Sequence, residues 1–330
     1  MRDEIRRKCE SLIENRDLMK EVFSWESGMV WLAAAAIYTA KDQAVEPDKL
    51  KLCKDLIKEQ TGIFSNFRGN VRCAVAAMLA VSDAPEQMFA DGLEVHKMLK
   101  NGMRDSAYLP LAAMTIARLA ERRDYEEVVE KTKEIYDEIK KNHPFLTSNE
   151  DSAFCAMMAL SEKSAEELVS EAERCYRFLN ENARYPKNAV QSLSHVLAIC
   201  DGTPEEKCEK TIELYETLQA YGMKYGKDYE LPTLGVLAME HEDYEALAEE
   251  MKEVDTWLSK QKGFGLFGSI TIKQRLMYAG MLLQNKKERG ALSESAALQS
   301  TLAILVAQEA AMMAMMAAST VAAVNATNNS

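Results

Sequence analysis

Apolar residues recur three and four apart along nearly the whole chain, with Glu, Lys, Gln and Arg between them, which predicts helices almost everywhere. Two kinds of helical stretch alternate. One kind is amphipathic and contains the segments CKDLIK (53–58), VHKMLK (95–100), IYDEIK (135–140), CYRFLN (175–180), LYETLQ (214–219) and VDTWLS (254–259). Their fifth positions, Ile57, Leu99, Ile139, Leu179, Leu218 and Leu258, are 42, 40, 40, 39 and 40 residues apart. The other kind is apolar all round and rich in small residues, as in GMVWLAAAAIYTA, VRCAVAAMLAV and LPLAAMTIARLA. Such helices line an interior.

The starts of the amphipathic helices are marked. Eleven residues before five of the six segments stand Ala84, Asp124, Ser164, Thr203 and Asp243, each followed by acidic residues or by Pro85 or Pro204. Asp, Ser and Thr are favoured N-caps, proline suits the first helical position, and carboxylates suit the positive end of the helix dipole. The first copy is shorter and starts near Glu46, and residues 3–23 read as a preceding, capping helix.

A period near 40 residues predicts an αα-hairpin that cannot bury its own apolar face and must stack on its neighbours. The expected fold is therefore all-α, a HEAT/TPR-like α-solenoid of six to seven hairpins in a right-handed superhelix. It occupies residues 1–290 as one domain, and 291–330 form an apolar Ala/Met-rich C-terminal helix with a short polar tail.

The 330 residues, 47% of them hydrophobic, suffice for a large core. A formal charge of −12 argues against a nucleic acid or an anionic lipid surface as the main partner, although a local basic patch is compatible with it. None of the seven cysteines has C-x-x-C spacing, so they read as buried free thiols in a reducing compartment. The N-terminus MRDEIRRKCESL lacks the apolar core of a secretory signal, so the expected location is the cytoplasm.

Residues 263–268, GFGLFG, have the glycine spacing of a dinucleotide loop, but they follow a helix where that loop requires a strand. Residues 62–79 align without gaps with 265–282, Gly62 on Gly265 and Phe64 on Phe267, so both read as repeat corners. There, a glycine ends a helix at positive φ and a phenylalanine anchors the turn. Lys273 and Arg275 near this corner are candidate anion ligands.

A third corner, HPFLTSNEDSAFCAMMALS (143–161), carries His143-Pro144-Phe145-Leu146-Thr147-Ser148, then Glu150 and Asp151, ahead of an Ala-rich helix. With the Ala/Met-rich C-terminus, it resembles an uncharacterised bacterial domain-of-unknown-function family. That resemblance implies an all-α cytoplasmic protein and no known activity.

Candidate binding residues are His143, Glu150 and Asp151 in that corner, and Tyr136, Tyr176 and Tyr215, which share one repeat position. The histidines show no metal-ligand spacing, and no nucleotide-, protease- or hydrolase-type motif is present, so neither cofactor nor metal is expected. An (α/α) toroidal glycosidase would need paired carboxylates and aromatic platforms, and no carboxylate pair stands out. Residues 302–324 could span a membrane by length, but Gln308, Glu309 and the many alanines argue for packing on the chain itself or on a second copy. The expected function is a non-catalytic scaffold for a protein or peptide, and the alternative is a small-molecule enzyme or sensor with a pocket inside the superhelix.

Overall fold

The computed structural model describes residues 1–284 apart from 70, 266 and 267, and contains no strand among them. Among the described residues the chain is all-helical, with fourteen α-helices. These are α1 (Asp3–Val22), α2 (Gly28–Ala40), α3 (Pro47–Gln60), α4 (Arg72–Ala80), α5 (Pro85–Lys100), α6 (Leu109–Leu119), α7 (Tyr125–Asn142), α8 (Asp151–Ala159), α9 (Ala165–Asn182), α10 (Lys187–Ile199), α11 (Pro204–Ala220), α12 (Leu231–Glu240), α13 (Tyr244–Leu258) and α14 (Ile272–Leu282).

The helix starts follow from local chemistry. Ser164 and Thr203 each accept the backbone N–H three residues on, from Glu167 and Glu206, whose carboxylates accept the N–H of the cap residue in return. Asp243 accepts from the N–H of Ala246 at 2.9 Å. Asp124 stands at its expected position without a side-chain cap bond, because a 3-10 turn, Arg122–Asp124, leads directly into α7.

The two kinds of helix occupy two layers. The odd-numbered helices bury one stripe, for example Leu168, Ala172, Cys175 and Leu179 of α9. The even-numbered helices are buried nearly all round, with unbroken runs at 32–39, 73–80, 109–116, 151–159 and 231–238. Each odd helix packs on the even helix that follows it, odd helices pack on successive odd helices, and even on successive even. Small residues permit the close approach: a Cβ at Gly280 would lie 2.5 Å from Cδ1 of Leu237.

The line of neighbours also meets its own beginning, since α1 lies against both α13 and α14. Arg16 of α1 is buried, donates to the Lys262 carbonyl at 2.8 Å, and holds its guanidinium 5.6 Å from the ring centre of the buried Phe264. At the other end of α1, Arg2 pairs with Glu250 at 2.8 Å.

The glycine-rich corner follows α13, with no strand before it. Gly263 takes the left-handed φ of 91° and its carbonyl accepts the Ile270 N–H at 3.1 Å. A Cβ at Gly268 would fall 2.0 Å from that carbonyl oxygen, so close backbone approach accounts for this glycine. The companion corner corrects two expectations. Gly62 is not at positive φ, and α3 ends instead because Thr61 becomes extended and its hydroxyl takes the Ile57 carbonyl. Phe64 does not anchor the turn but is exposed; Phe67 is the buried residue, packed edge-on against Phe89 at 5.4 Å and His96 at 5.0 Å.

All seven cysteines are free and buried. Residues 285–330, which hold the expected domain boundary and the apolar run 302–324, lie outside the described residues. Among the described residues no helix is long and apolar enough to cross a membrane.

Two substitutions test this account by urea denaturation. Thr203→Ala removes one capping hydroxyl and is expected to cost about 1 kcal/mol. Phe264→Ala empties the contact between α1 and the corner after α13 and is expected to cost about 3–5 kcal/mol.

Candidate functional site

Seven loops precede the even-numbered helices: 23–27, 61–71, 101–108, 143–150, 183–186, 221–230 and 259–271. A succession of contacts joins each to the next. Arg72, the first residue of α4 after the second loop, lies 3.7 Å from Glu26 of the first. Asn66 donates to Asp105 at 2.8 Å, and the Tyr108 hydroxyl donates to Glu150 at 3.3 Å. Gln191, in α10, donates to the Thr147 hydroxyl at 2.9 Å. Lys227 reaches the Arg184 carbonyl at 3.4 Å, and Gln274, in α14, donates to the Tyr229 hydroxyl at 2.6 Å. Ser269 abuts Gly28, which returns the series to the start of α2. All seven loops therefore lie at one end of the molecule.

Three of the residues singled out in the sequence meet in the fourth loop and beneath it. His143 ends α7, its Nε2 lies 2.6 Å from Glu173, and its ring lies 4.4 Å from that of Tyr176. Asp151 opens α8, is buried, and accepts the Ser148 N–H at 2.8 Å. Its other oxygen stands 3.7 Å from Nδ1 of His195, a buried nitrogen with no hydrogen-bond partner among the described residues. Burial pushes the Asp151 carboxyl up to about 7 and pulls the His195 imidazole down to about 3. Together they form a neutral or singly charged pair sealed from solvent. Glu150 is exposed and is engaged by Tyr108.

The three tyrosines sit below these loops. Tyr136 and Tyr215 are buried and Tyr176 is half-buried. Tyr215 packs edge-on against Tyr185 at 5.4 Å, and its hydroxyl accepts from Gln219 at 3.1 Å. Lys140 stands over Tyr136 at 5.6 Å. Of the anion candidates, Lys273 is exposed and lies 3.9 Å from Asp228. Arg275 grips both oxygens of Asp255, at 2.5 and 3.1 Å, and donates to the Phe264 carbonyl at 2.9 Å, so it ties α14 to α13 and the corner.

The feature that sequence reasoning missed is the apolar surface of this end. Trp25 is 99% exposed, Phe64 95% and Phe145 100%, and Ile63 and Ile272 are exposed as well. All five stand in the loops or at the first position of the following helix. Ile63 and Phe64 edge a hollow of about 510 Å³ floored by Phe67, Leu93 and the His96–Asp105 pair. No group of three or more His, Cys, Asp or Glu side chains suited to a metal occurs among the described residues.

The Asp151–His195 pair has a defined pH signature. The depressed His195 contributes stability that is full above its unfolded value of 6.5 and is lost as pH falls toward 3. The raised Asp151 contributes in the opposite sense, fully below 3.8 and lost as pH rises through about 7. The two slopes oppose each other between 3.8 and 6.5. Asp151→Asn leaves only the His195 slope, up to about 1.4 kcal/mol per pH unit. Urea midpoints measured from neutral to mildly acidic pH are expected to fall more steeply in the variant than in the parent.

The chain is 26% identical over 272 residues to the uncharacterised protein YeaA of Bacillus subtilis (strain 168), a match covering 81% of this chain and 80% of that one. No solved structure matches it. Residues 15–311 match the family described as protein of unknown function (DUF4003), and the chain belongs to that family.

Proposed function

We propose that this chain is a non-catalytic helical-repeat scaffold whose looped end is its docking face. In this reading seven αα-hairpins of about 40 residues wind as a right-handed superhelix until the last meets the first. The neighbour relations among the helices support it, as does the contact of α1 with α13 and α14. The reading places the protein in the cytoplasm, where seven free thiols stay reduced.

One observation carries the docking role: Trp25, Phe64 and Phe145 stand almost wholly in solvent on loops that are tied to one another at a single end. Exposed large apolar groups gathered on one surface mark an interaction site more often than isolated ones do. Aromatic side chains are also the usual anchors of interfaces. A protein or peptide is the partner class to which the sequence leads. The buried Asp151–His195 pair supplies no competing case for catalysis, because neither side chain is reachable by a substrate.

The test is the combined Trp25/Phe64/Phe145→Ala variant. Its melting temperature is expected to match the parent, since fully exposed side chains contribute little to folding. Partner capture by cross-linking is expected to be lost. Unchanged capture would overturn the assignment of this face. A thermal shift with a metal, nucleotide or sugar, lost in His143→Ala or Lys273→Ala, would replace the scaffold by a small-molecule binder.

A further inference from the structure

We infer that the looped end docks on an anionic phospholipid surface; the inference rests on the docking face proposed above and puts lipid there in place of a protein or peptide. Two independent observations converge on it.

The first is the manner of exposure. A peptide-binding groove holds its apolar residues in its walls, so they are partly covered even when empty. Trp25, Phe64 and Phe145 are instead 99, 95 and 100% exposed, so each ring stands free on every side. They rise from three different loops of the linked series, and Ile63 and Ile272 are exposed at the same end. Free-standing aromatic rings on a common end suit a fluid medium that closes round each of them. Tryptophan and phenylalanine are the side chains that settle at the headgroup level of a bilayer, the ring in the acyl boundary and the backbone outside.

The second is charge. The seven loops and the first two residues of the helices they lead into contain ten Lys or Arg against six Asp or Glu. Two of those six, Asp151 and Glu230, are buried and so add little to the charge of the surface. The corresponding positions at the opposite end, 41–48, 81–86, 120–126, 160–166, 200–205 and 241–245, contain four Lys or Arg against fifteen Asp or Glu. The chain as a whole carries 40 against 52. The aromatic end is thus the basic end of an acidic protein, with Arg104, Arg184, Lys187, Lys224, Lys262 and Lys273 exposed around it. An anionic surface favours this end over the opposite, acidic one. The chain's net charge, which argues against lipid when taken as a sum, becomes an orienting device when taken by position.

The experiment is co-sedimentation of the full chain with vesicles of phosphatidylcholine alone or mixed with phosphatidylglycerol. The parent is expected to pellet with the mixed vesicles only, and to be released by added salt. The Trp25/Phe64/Phe145→Ala variant and a Lys224/Lys262/Lys273→Glu variant are each expected to weaken binding by about tenfold or more, with melting temperatures unchanged. The fluorescence of Trp25 is expected to shift to the blue on mixed vesicles, a change absent from Trp25→Phe. No pelleting of the parent overturns the inference, as does equal pelleting with phosphatidylcholine alone. Pelleting retained by the aromatic variant also overturns it, by placing the lipid contact elsewhere in the chain. If vesicles fail but the aromatic variant loses a cross-linked protein or a self-associated dimer, the docking reading stands and its lipid form falls. If the variant loses nothing in either assay, both fall.

Discussion

The even-numbered helices have no polar side. From Ala33 to Thr39 or from Cys73 to Ala80, every residue is buried, so each such helix is stable only when enclosed by an odd-numbered partner and by the even helices before and after it. Alanine and glycine along these helices let their axes come close, which keeps the enclosure tight with little side-chain entropy lost. The ends of these helices are the weak places, since their last carbonyls lack partners. Lysines reach carbonyls at or just past these ends: Lys49 of α3 that of Ser82, Lys131 of α7 that of Ser161, and Lys163, just before α9, those of Ala198 and Cys200.

What was legible in the sequence is what depends on near neighbours. Capping pairs such as Ser164 with Glu167 span one turn, and the alternation of amphipathic and apolar stretches follows from which layer a helix joins. The return of the chain to α1 was not legible. It depends on Arg16 meeting Lys262 and Phe264 from across the whole chain, and a period near 40 residues fixes each neighbour without fixing the curvature that accumulates over several. The Asp151–His195 approach was hidden for a related reason. A histidine inside SLSHVLAI reads as packing, and nothing in its surroundings names a carboxyl 44 residues earlier. Phe64 reads as the anchor because the alignment of two corners matches residue types, whereas the 3-10 turn at Asn66–Arg68 turns Phe67 inward instead.

The molecule is polar along the direction of its helices. One end gathers the longer loops, the free aromatic rings and the excess of Lys and Arg; the other has short connections and carboxylates at the N-caps and first turns of the odd helices. This division costs the fold little, because first-turn carboxylates at one end and lysines near carbonyl ends are favourable to the helices themselves. A surface suited to one kind of contact thus arises partly from helix-end chemistry. For a member of DUF4003 the docking proposal attaches to that end as a whole, whereas His143, Asp151 and the tyrosines form the support beneath it.

The buried thiols give this architecture an internal record of its own breathing. Cys9, Cys53, Cys73, Cys155, Cys175 and Cys208 lie on six different helices and Cys200 ends a seventh. Burial holds Cys9 and Cys200 up near 12, far from the reactive thiolate. A sulfhydryl reagent therefore reacts with each only when its own helix comes away, and the sequence of labelled sites spells out the order in which the layers part.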